Sequence, residues 1–175
     1  MDEAQQPLPD PVIQLVELEL INPNPGPYKE SYQWRMRISA SEQLVEPMSI
    51  SFVWVGSSGS SEYDQMLDSF DVGPFVPGVT EFHLECDPPE VSRIPPQDVL
   101  GVTVLLISFQ YRGQEFLRVG YYTQVAYFDD ALNACPPEVA DASLLGRFLA
   151  MSQPAVTIVP VSWDRTINDP NAYLE

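Results

Sequence analysis

The chain has 175 residues, of which 45% are hydrophobic, so it can form one domain with a substantial core and does not have the composition of a disordered protein. Its 25 acidic and 8 basic residues give a net charge of −17, which repels nucleic acid and attracts basic proteins or metal ions. No apolar run approaches the roughly 20 residues of a membrane helix, and the acidic N-terminus is unlike a signal peptide. We therefore expect an intracellular protein without a membrane or nucleic-acid partner. A second interpretation is that the charge serves only solubility.

The first half of the chain consists of strand patterns separated by turns. Residues 1–11 are polar and rich in proline, which predicts a flexible arm. Residues 32–38 alternate strictly and indicate a half-buried strand, with one face formed by Tyr32, Trp34, Met36 and Ile38. Similar patterns between glycine- and proline-rich turns predict strands at residues 12–20, 49–55, 63–72 and 80–86.

The second half combines a hairpin with the helical patterns of the chain. Residues 101–111 and 115–126 are predicted strands, and residues 129–133 form a predicted helical turn. A longer helix is predicted at residues 141–150, capped by Asp141, because one helical face would hold Leu144, Leu145, Phe148 and Leu149. A last strand follows at residues 156–161, where Pro160 indicates a sheet edge.

The spacing of these elements predicts the fold class. Several short strands with glycine and proline turns and little helix favour an all-β sandwich with one or two short helices. The domain is expected to span residues 12–163, with Trp163 at its end and residues 164–175 as a C-terminal tail.

The register of the hairpin decides which residues face the core. A two-residue loop would pair Val104 with Tyr121, whereas a three-residue loop, residues 112–114, would pair Val104 with Tyr122. A one-residue slip exchanges the two faces, so the cleaner separation of apolar side chains favours the three-residue loop. The core face would then hold Leu105, Ile107, Phe109, Leu117, Val119 and Tyr121, and the opposite face Val102, Val104, Leu106, Phe116, Arg118, Gly120 and Tyr122.

The second of these faces is apolar although no segment obviously covers it. An apolar patch with charged residues at its border is typical of a protein interface. The alternative is that this face packs under the predicted helix at residues 141–150. We favour the interface.

Catalytic and metal-binding patterns are weak throughout the sequence. His83 lies in a strand pattern and is better explained as a strand residue than as a catalytic base. Asp129 and Asp130 are better explained as a solvated helix start than as an acid–base pair, and calcium ligation by Asp64, Asp68 or Asp129 matches no known ligand spacing. Cys86 and Cys135 are expected as free thiols rather than a disulfide. We expect no enzyme, no cofactor and no metal site.

Two motifs at the hairpin are highly specific, RGQEF at residues 112–116 and RVGYY at residues 118–122. They resemble those of the anti-silencing function family of histone H3–H4 chaperones. The resemblance runs from about residue 12 to Trp163 and includes Trp54-Val-Gly-Ser57, the segment at residues 62–69, Val72-Gly-Pro74, Pro136-Pro137 and Val156-Thr157.

The resemblance implies an immunoglobulin-like sandwich in the nucleus that acts as a monomer and binds an H3–H4 dimer. Positions matching the family's histone H3 contacts are Val55, Asp64, Asp98, Val102, Val104, Leu106, Arg118 and Tyr122. The family also adds a strand of histone H4 to its own last strand, a β-augmentation. Positions matching that site are Tyr121, Ala155, Val156 and Thr157.

The sequence departs from the family at positions that match its partner-binding sites. Ala155 stands where the family has an arginine that contacts H4. Pro47 and Ser49 stand where the family has an acidic pair that binds basic peptides of other histone chaperones, while that site keeps Glu46 and Phe82 and gains Asp71. We therefore expect weak or altered binding of those chaperones. The alternative function is a generic immunoglobulin-like module that binds another basic protein.

Overall fold

A computed structural model describes residues 11–164, so most of the predicted arm and tail lies outside the described residues. The strands are β1 (Ile13–Leu20), β2 (Gly26–Pro27), β3 (Tyr32–Ala40), β4 (Met48–Trp54), β5 (Gln65–Val72), β6 (Gly78–Cys86), β7 (Gly101–Tyr111), β8 (Gln114–Tyr127), β9 (Leu145–Leu149) and β10 (Ala155–Ile158). Between them lie the helix α1 (Asp130–Ala134) and 3-10 turns at Ser61–Tyr63, Val91–Arg93, Pro96–Asp98 and Ala142–Leu144. No helix within this range is long and apolar enough to cross a bilayer.

The strands form two sheets that pack face to face. Sheet A has the order β1-β3-β6, and sheet B has the order β2-β9-β8-β7-β4-β5, with β10 paired to β8 beside β9. All pairings are antiparallel. This arrangement confirms the predicted all-β, immunoglobulin-like sandwich.

Aromatic side chains join the two sheets in the core. The predicted alternation of β3 is confirmed, because Tyr32, Trp34, Met36 and Ile38 are all buried. The ring of Trp34 stacks between two rings of sheet B, those of Phe52 at 5.8 Å and Tyr121 at 6.1 Å between centroids. Stacked and edge-to-face rings at these separations stabilise the packing beyond their buried area.

The hairpin of β7 and β8 has the predicted register but not the predicted loop. Tyr111 pairs with Gln114, so the loop has two residues, and Arg112 and Gly113 both have positive φ, 50° and 74°. Two positive φ values define the tight turn whose twist matches that of a hairpin. Phe116 then forms a β-bulge that shifts the register, and Val104 pairs with Tyr122 as predicted.

The bulge also changes the side on which Phe116 lies. Phe116 was predicted on the face opposite the core. It is instead 2% exposed, and the centroid of its ring lies 4.9 Å from that of the Trp163 ring. A bulge inserts an unpaired residue and redirects its side chain, which accounts for the difference.

The predicted helix at residues 141–150 is wrong. Asp141 does cap a turn, where its carboxylate accepts a hydrogen bond from the Ser143 N–H, but that turn is a short 3-10 helix. Residues Leu145–Leu149 form β9, whose Arg147 points inward and is 2% exposed. The Arg147 guanidinium donates to the carbonyl oxygens of residues 28, 30 and 31 and lies 3.6 Å from the centre of the Tyr32 ring. The helical turn predicted at residues 129–133 is confirmed as α1, capped by Asp129.

The last strand is shorter than predicted. It begins at Ala155 and ends at Ile158, before Pro160, which cannot donate a ladder hydrogen bond. Beyond Trp163, the described chain includes Asp164, which is buried and hydrogen-bonded to the domain. Asp164 is therefore packed against the sandwich although it falls in the predicted tail.

Candidate functional site

The outer face of sheet B is apolar toward one end of its strands. Alternation turns Val102, Val104 and Leu106 of β7 away from the core, and the neighbouring strands place further apolar side chains beside them. We call the set the apolar strip; its members are Val53, Val55, Met66, Val102, Val104, Leu106 and Tyr122. Three of these side chains are strongly exposed, Val102 at 69%, Met66 at 63% and Tyr122 at 55%.

The strip follows the register of the sheet. Leu106 lies between Val53 of β4 and Gly120 of β8, and Val53 is in turn opposite Met66 on β5. One row further, the N–H of Val55 donates to the carbonyl oxygen of Val104 at 3.1 Å, and Val104 faces Tyr122. Neighbouring rows thus present a continuous apolar surface.

Gly120 lets this surface lie close to the backbone. A Cβ atom at this position would lie 3.3 Å from side-chain atoms of both Val104 and Leu106 and 3.8 Å from that of Ala155. Gly120 is therefore buried directly beneath the side chains of Val104 and Leu106.

Five of the eight residues predicted to bind histone H3 meet at one depression of about 260 Å³. They are Val55, Asp98, Val102, Val104 and Tyr122. Asp98 is half-buried in the turn before β7, so a carboxylate lies at the border of the apolar strip. The alternative that a helix covers this face is excluded, because residues 145–149 form a strand beside β8.

The other three predicted residues surround this depression. Leu106 continues the apolar strip in the next row, and Asp64 is exposed immediately before β5. Arg118 lies at the polar end of the face, opposite Ser108, and its guanidinium is 3.0 Å from the Glu115 carboxylate. Arg118 therefore marks the border of the strip rather than its centre.

Val53 and Met66 belong to the strip but were not predicted. Val53 is the outward residue between buried Phe52 and Trp54, so its alternation was visible in the sequence. Met66 faces outward because β5 has a bulge opposite Phe52 and Val53, which the sequence does not reveal.

A second region is the cleft between the open edges of β1 and β10. It has a volume of about 580 Å³ and is lined from both sheets by apolar residues that include Leu15, Leu18, Tyr121, Val156 and Ile158. Burial raises the pKa of Tyr121 to about 12, so its hydroxyl is neutral. Two of the predicted H4-binding residues, Tyr121 and Val156, thus share this cleft.

The other two predicted H4-binding residues lie on the opposite side of β10. Ala155 pairs with Gly120 and Thr157 with Arg118, which are outward-facing positions of β8. Both are exposed. Within residues 11–164 the outer edge of β10 pairs with no other strand, so its backbone groups are available to an added strand.

The residues predicted to bind chaperone peptides lie at the opposite edge of the sandwich. Asp71 is exposed on β5 and accepts a hydrogen bond from the Ser49 hydroxyl at 2.7 Å. Phe82 on β6 is half-buried, with its ring 6.4 Å from that of Phe75, and Glu46 is exposed in the loop before β4. They are thus spread over the loop before β4, the edge strand β5 and the edge strand β6.

Catalytic and metal-binding arrangements are not found in the described part of the chain. His83 is exposed on sheet A opposite Arg35. No group of three or more His, Cys, Asp or Glu residues among residues 11–164 could hold a metal ion. Both cysteines are free thiols, and burial raises the pKa of Cys86 to about 12, which makes it unreactive near neutral pH.

Comparison with known proteins places the chain in a family. The sequence model of the family described as ASF1-like histone chaperone matches residues 10–164. The chain belongs to the ASF1-like histone chaperone family. Its members are binding proteins and not enzymes.

Several ASF1 proteins are similar to this chain over most of its length. Histone chaperone asf1 of Emericella nidulans is 40% identical over 162 residues, which cover 93% of this chain and 58% of that protein. Histone chaperone ASF1 of Mycosarcoma maydis is 39% identical over 153 residues, 87% of each chain. Histone chaperone ASF1B of Homo sapiens is 39% identical over 145 residues, 83% of this chain and 72% of the human protein. The chain spans less than two thirds of the Emericella nidulans protein.

Proposed function

We propose that this protein is a histone chaperone that binds an H3–H4 dimer for nucleosome assembly and disassembly. The observation that carries the proposal is the apolar strip on the open face of sheet B, in a chain of net charge −17. An exposed apolar surface bordered by acidic groups fits an amphipathic, basic partner, and core histones have both properties.

Histone H3 is proposed to lie on the apolar strip. Val102, Val104 and Leu106 would bury apolar side chains of H3 helices, and Tyr122 would act as an amphipathic anchor at their edge. Asp64 and Asp98 would pair with lysine or arginine at the border, where charges steer association and set orientation. Arg118 already has Glu115 as a partner, so its expected contribution is smaller.

Histone H4 is proposed to add a strand to the outer edge of β10. The support is the unpaired edge of β10 together with the apolar cleft behind it, since strand addition combines backbone hydrogen bonds with pockets for alternate side chains. Val156 and Tyr121 would contact a side chain in the cleft, and Ala155 and Thr157 would face the other side. Because the side chain of Ala155 has no polar group, one side-chain contact to H4 is expected to be absent.

Peptides of other histone chaperones are proposed to bind weakly or with altered specificity near Glu46, Asp71 and Phe82. The Asp71 carboxylate already accepts a hydrogen bond from Ser49, which reduces its availability to a basic peptide. We further propose that residues 12–163 act as the histone-binding unit, as a monomer in the nucleus.

The test is a titration of purified H3–H4 with this protein in moderate and in high salt. Apolar contacts persist when charges are screened, so binding to H3–H4 is expected at both salt concentrations. Cytochrome c, a basic protein of unrelated fold, serves as the control and should not bind in high salt. Equal binding of both proteins, lost as salt is raised, would instead indicate the generic module for basic proteins.

A further inference from the structure

Three exposed apolar side chains lie beside the apolar strip but outside it. Phe128 is 60% exposed, Leu144 48% and Phe148 46%. We call them the phenylalanine patch. None of the three is among the partly buried side chains that pack against the core.

Gly146 brings the members of this patch together. A Cβ atom added to Gly146 would lie 2.5 Å from the Phe128 ring, so the ring lies directly on the backbone of β9. Phe148 is two residues further along β9 and lies on the same face as Gly146, since side chains alternate along a strand. Leu144 immediately precedes this strand.

The patch is continuous with the apolar strip. Phe148 is directly opposite Gln124 on β8, and Gln124 is opposite Val102 on β7. Tyr122 is two residues from Gln124, so Tyr122 and Phe148 are diagonal neighbours, which in antiparallel sheets lie about 7–8 Å apart and within reach of aromatic side chains. A partner that covers Tyr122 can therefore also contact Phe148 on the same face of sheet B.

The charges around the patch indicate what kind of partner segment fits it. Phe128 is followed by Asp129 and Asp130, and Asp141 lies three residues before Leu144; all three carboxylates are exposed. Hydrogen bonds from Ser143 hold the pKa of Asp141 below its usual range, so it is charged at neutral pH. Acidic groups around apolar side chains are complementary to an apolar residue flanked by lysine or arginine.

We propose that the phenylalanine patch extends the partner-binding surface and contacts the same H3–H4 dimer through an apolar histone side chain flanked by basic residues. This inference rests on the proposed function, because it assigns the occupant of the strip to the patch as well. The patch adds apolar contact area at the far side of Tyr122, away from β5.

Binding of H3–H4 to the double variant Phe148→Asn/Leu144→Asn tests the proposal. Both side chains are exposed, so the thermal midpoint should stay close to that of the wild type while the dissociation constant rises about tenfold. The matched control is Val79→Asn on β6, 55% exposed and remote from this face, which should bind like the wild type.

Two further measurements separate failure of this inference from failure of the proposed function. If Val104→Arg loses binding while the double variant binds like the wild type, the patch is not part of the interface and the inference is wrong. If the wild type does not bind H3–H4, the proposed function is wrong and the inference falls with it. Benzoylphenylalanine in place of Phe148 should photo-crosslink to a histone in the complex, whereas the same probe in place of Val79 should not; no crosslink from position 148 would also overturn the inference.

Discussion

The outer faces of the two sheets differ in the kind of side chain that they expose. On sheet A, the Arg35 guanidinium contacts three carboxylates, those of Glu17 and Glu19 at 2.5 Å and that of Glu81 at 2.7 Å. On sheet B, the corresponding outward positions hold the apolar strip, whose most exposed members are Val102, Met66 and Tyr122. Both sheets bury their inner faces in the same core, so the difference lies only in the outward residues.

This difference indicates which face is available to a partner. A face whose charges are already paired gains little from a partner, because any new contact must first compete with an existing ion pair. An exposed apolar side chain, in contrast, gains about 1.5–3 kcal/mol when it is fully buried. The interface is therefore expected on sheet B even though sheet A has more charged groups.

The largest expected effect comes from a charge placed in the apolar strip. Val104→Arg should weaken H3–H4 binding by about 3 kcal/mol or more, because the guanidinium would be buried without a partner in the interface. Isothermal titration calorimetry measures the loss, and circular dichroism should be unchanged.

The matched control for this prediction is Val79→Arg, which makes the same change of charge at an exposed position of sheet A. It should bind H3–H4 like the wild type. Unfolding of Val104→Arg would mean that Val104 belongs to the core, and equal losses in both variants would mean that net charge rather than the strip determines binding.

A smaller effect is expected from Asp164, the buried carboxylate that holds the hairpin end of sheet B. It accepts hydrogen bonds from the Tyr111 hydroxyl at 2.6 Å, the Val45 N–H at 2.7 Å and the Arg112 guanidinium at 2.9 Å. Asp164→Asn should lower the free energy of unfolding by about 1–3 kcal/mol, since the amide nitrogen would face one of these donors. Urea denaturation measures it.

The pH dependence of this loss has a defined sign. Burial opposes ionisation of Asp164, but the hydrogen bonds from Tyr111, Val45 and Arg112 outweigh it and hold its pKa below the ordinary value. Its stabilisation is thus present above the unfolded-state pKa, about 3.9, and is lost as the pH falls through the folded-state pKa. The difference between wild type and Asp164→Asn should shrink in acid; a constant difference would contradict this account.

The hairpin illustrates how far the sequence could be interpreted. Its two faces could be predicted because only one register separates apolar from mixed side chains, and that register is found. The loop length was wrong because Phe116 forms a bulge: an unpaired residue in the strand has the same effect on register as an added residue in the loop. Hydrophobic pattern alone cannot distinguish the two.

The strand β9 was mistaken for a helix for a different reason. Its inward positions are Leu145, Arg147 and Leu149, so a charged residue interrupts the apolar alternation. Burial of Arg147 depends on carbonyl oxygens of the segment before β3 and on the Tyr32 ring, more than a hundred residues away in sequence. These partners become visible only once the sheets are assembled. Because of the same error, Phe148 was predicted on the face of a helix and not on the outer face of sheet B.

Replacement of Arg35 tests whether ion pairs stabilise the outer face of sheet A. Arg35→Gln leaves Glu17, Glu19 and Glu81 close together without their common partner, so the thermal midpoint should fall at low ionic strength. The loss should diminish as salt is added, because exposed charges are screened. Binding of H3–H4 should be unaffected; weaker binding in this variant would indicate that sheet A also contacts the histones.

The smallest expected effect is a shift in the titration of Glu81. The hydrogen bond from Arg35 lowers the pKa of this carboxyl below its ordinary value, with smaller contributions from the charges of Arg35 and Arg37. A lowered folded-state pKa means that the ion pair stabilises the protein above the unfolded-state pKa and stops doing so as the pH falls through the folded-state pKa. Carboxyl NMR should show the Glu81 pKa returning toward its ordinary value in Arg35→Gln. An unchanged titration would mean that Arg35 does not engage Glu81 in solution, and the description of sheet A as a self-paired face would then fail at its outer edge.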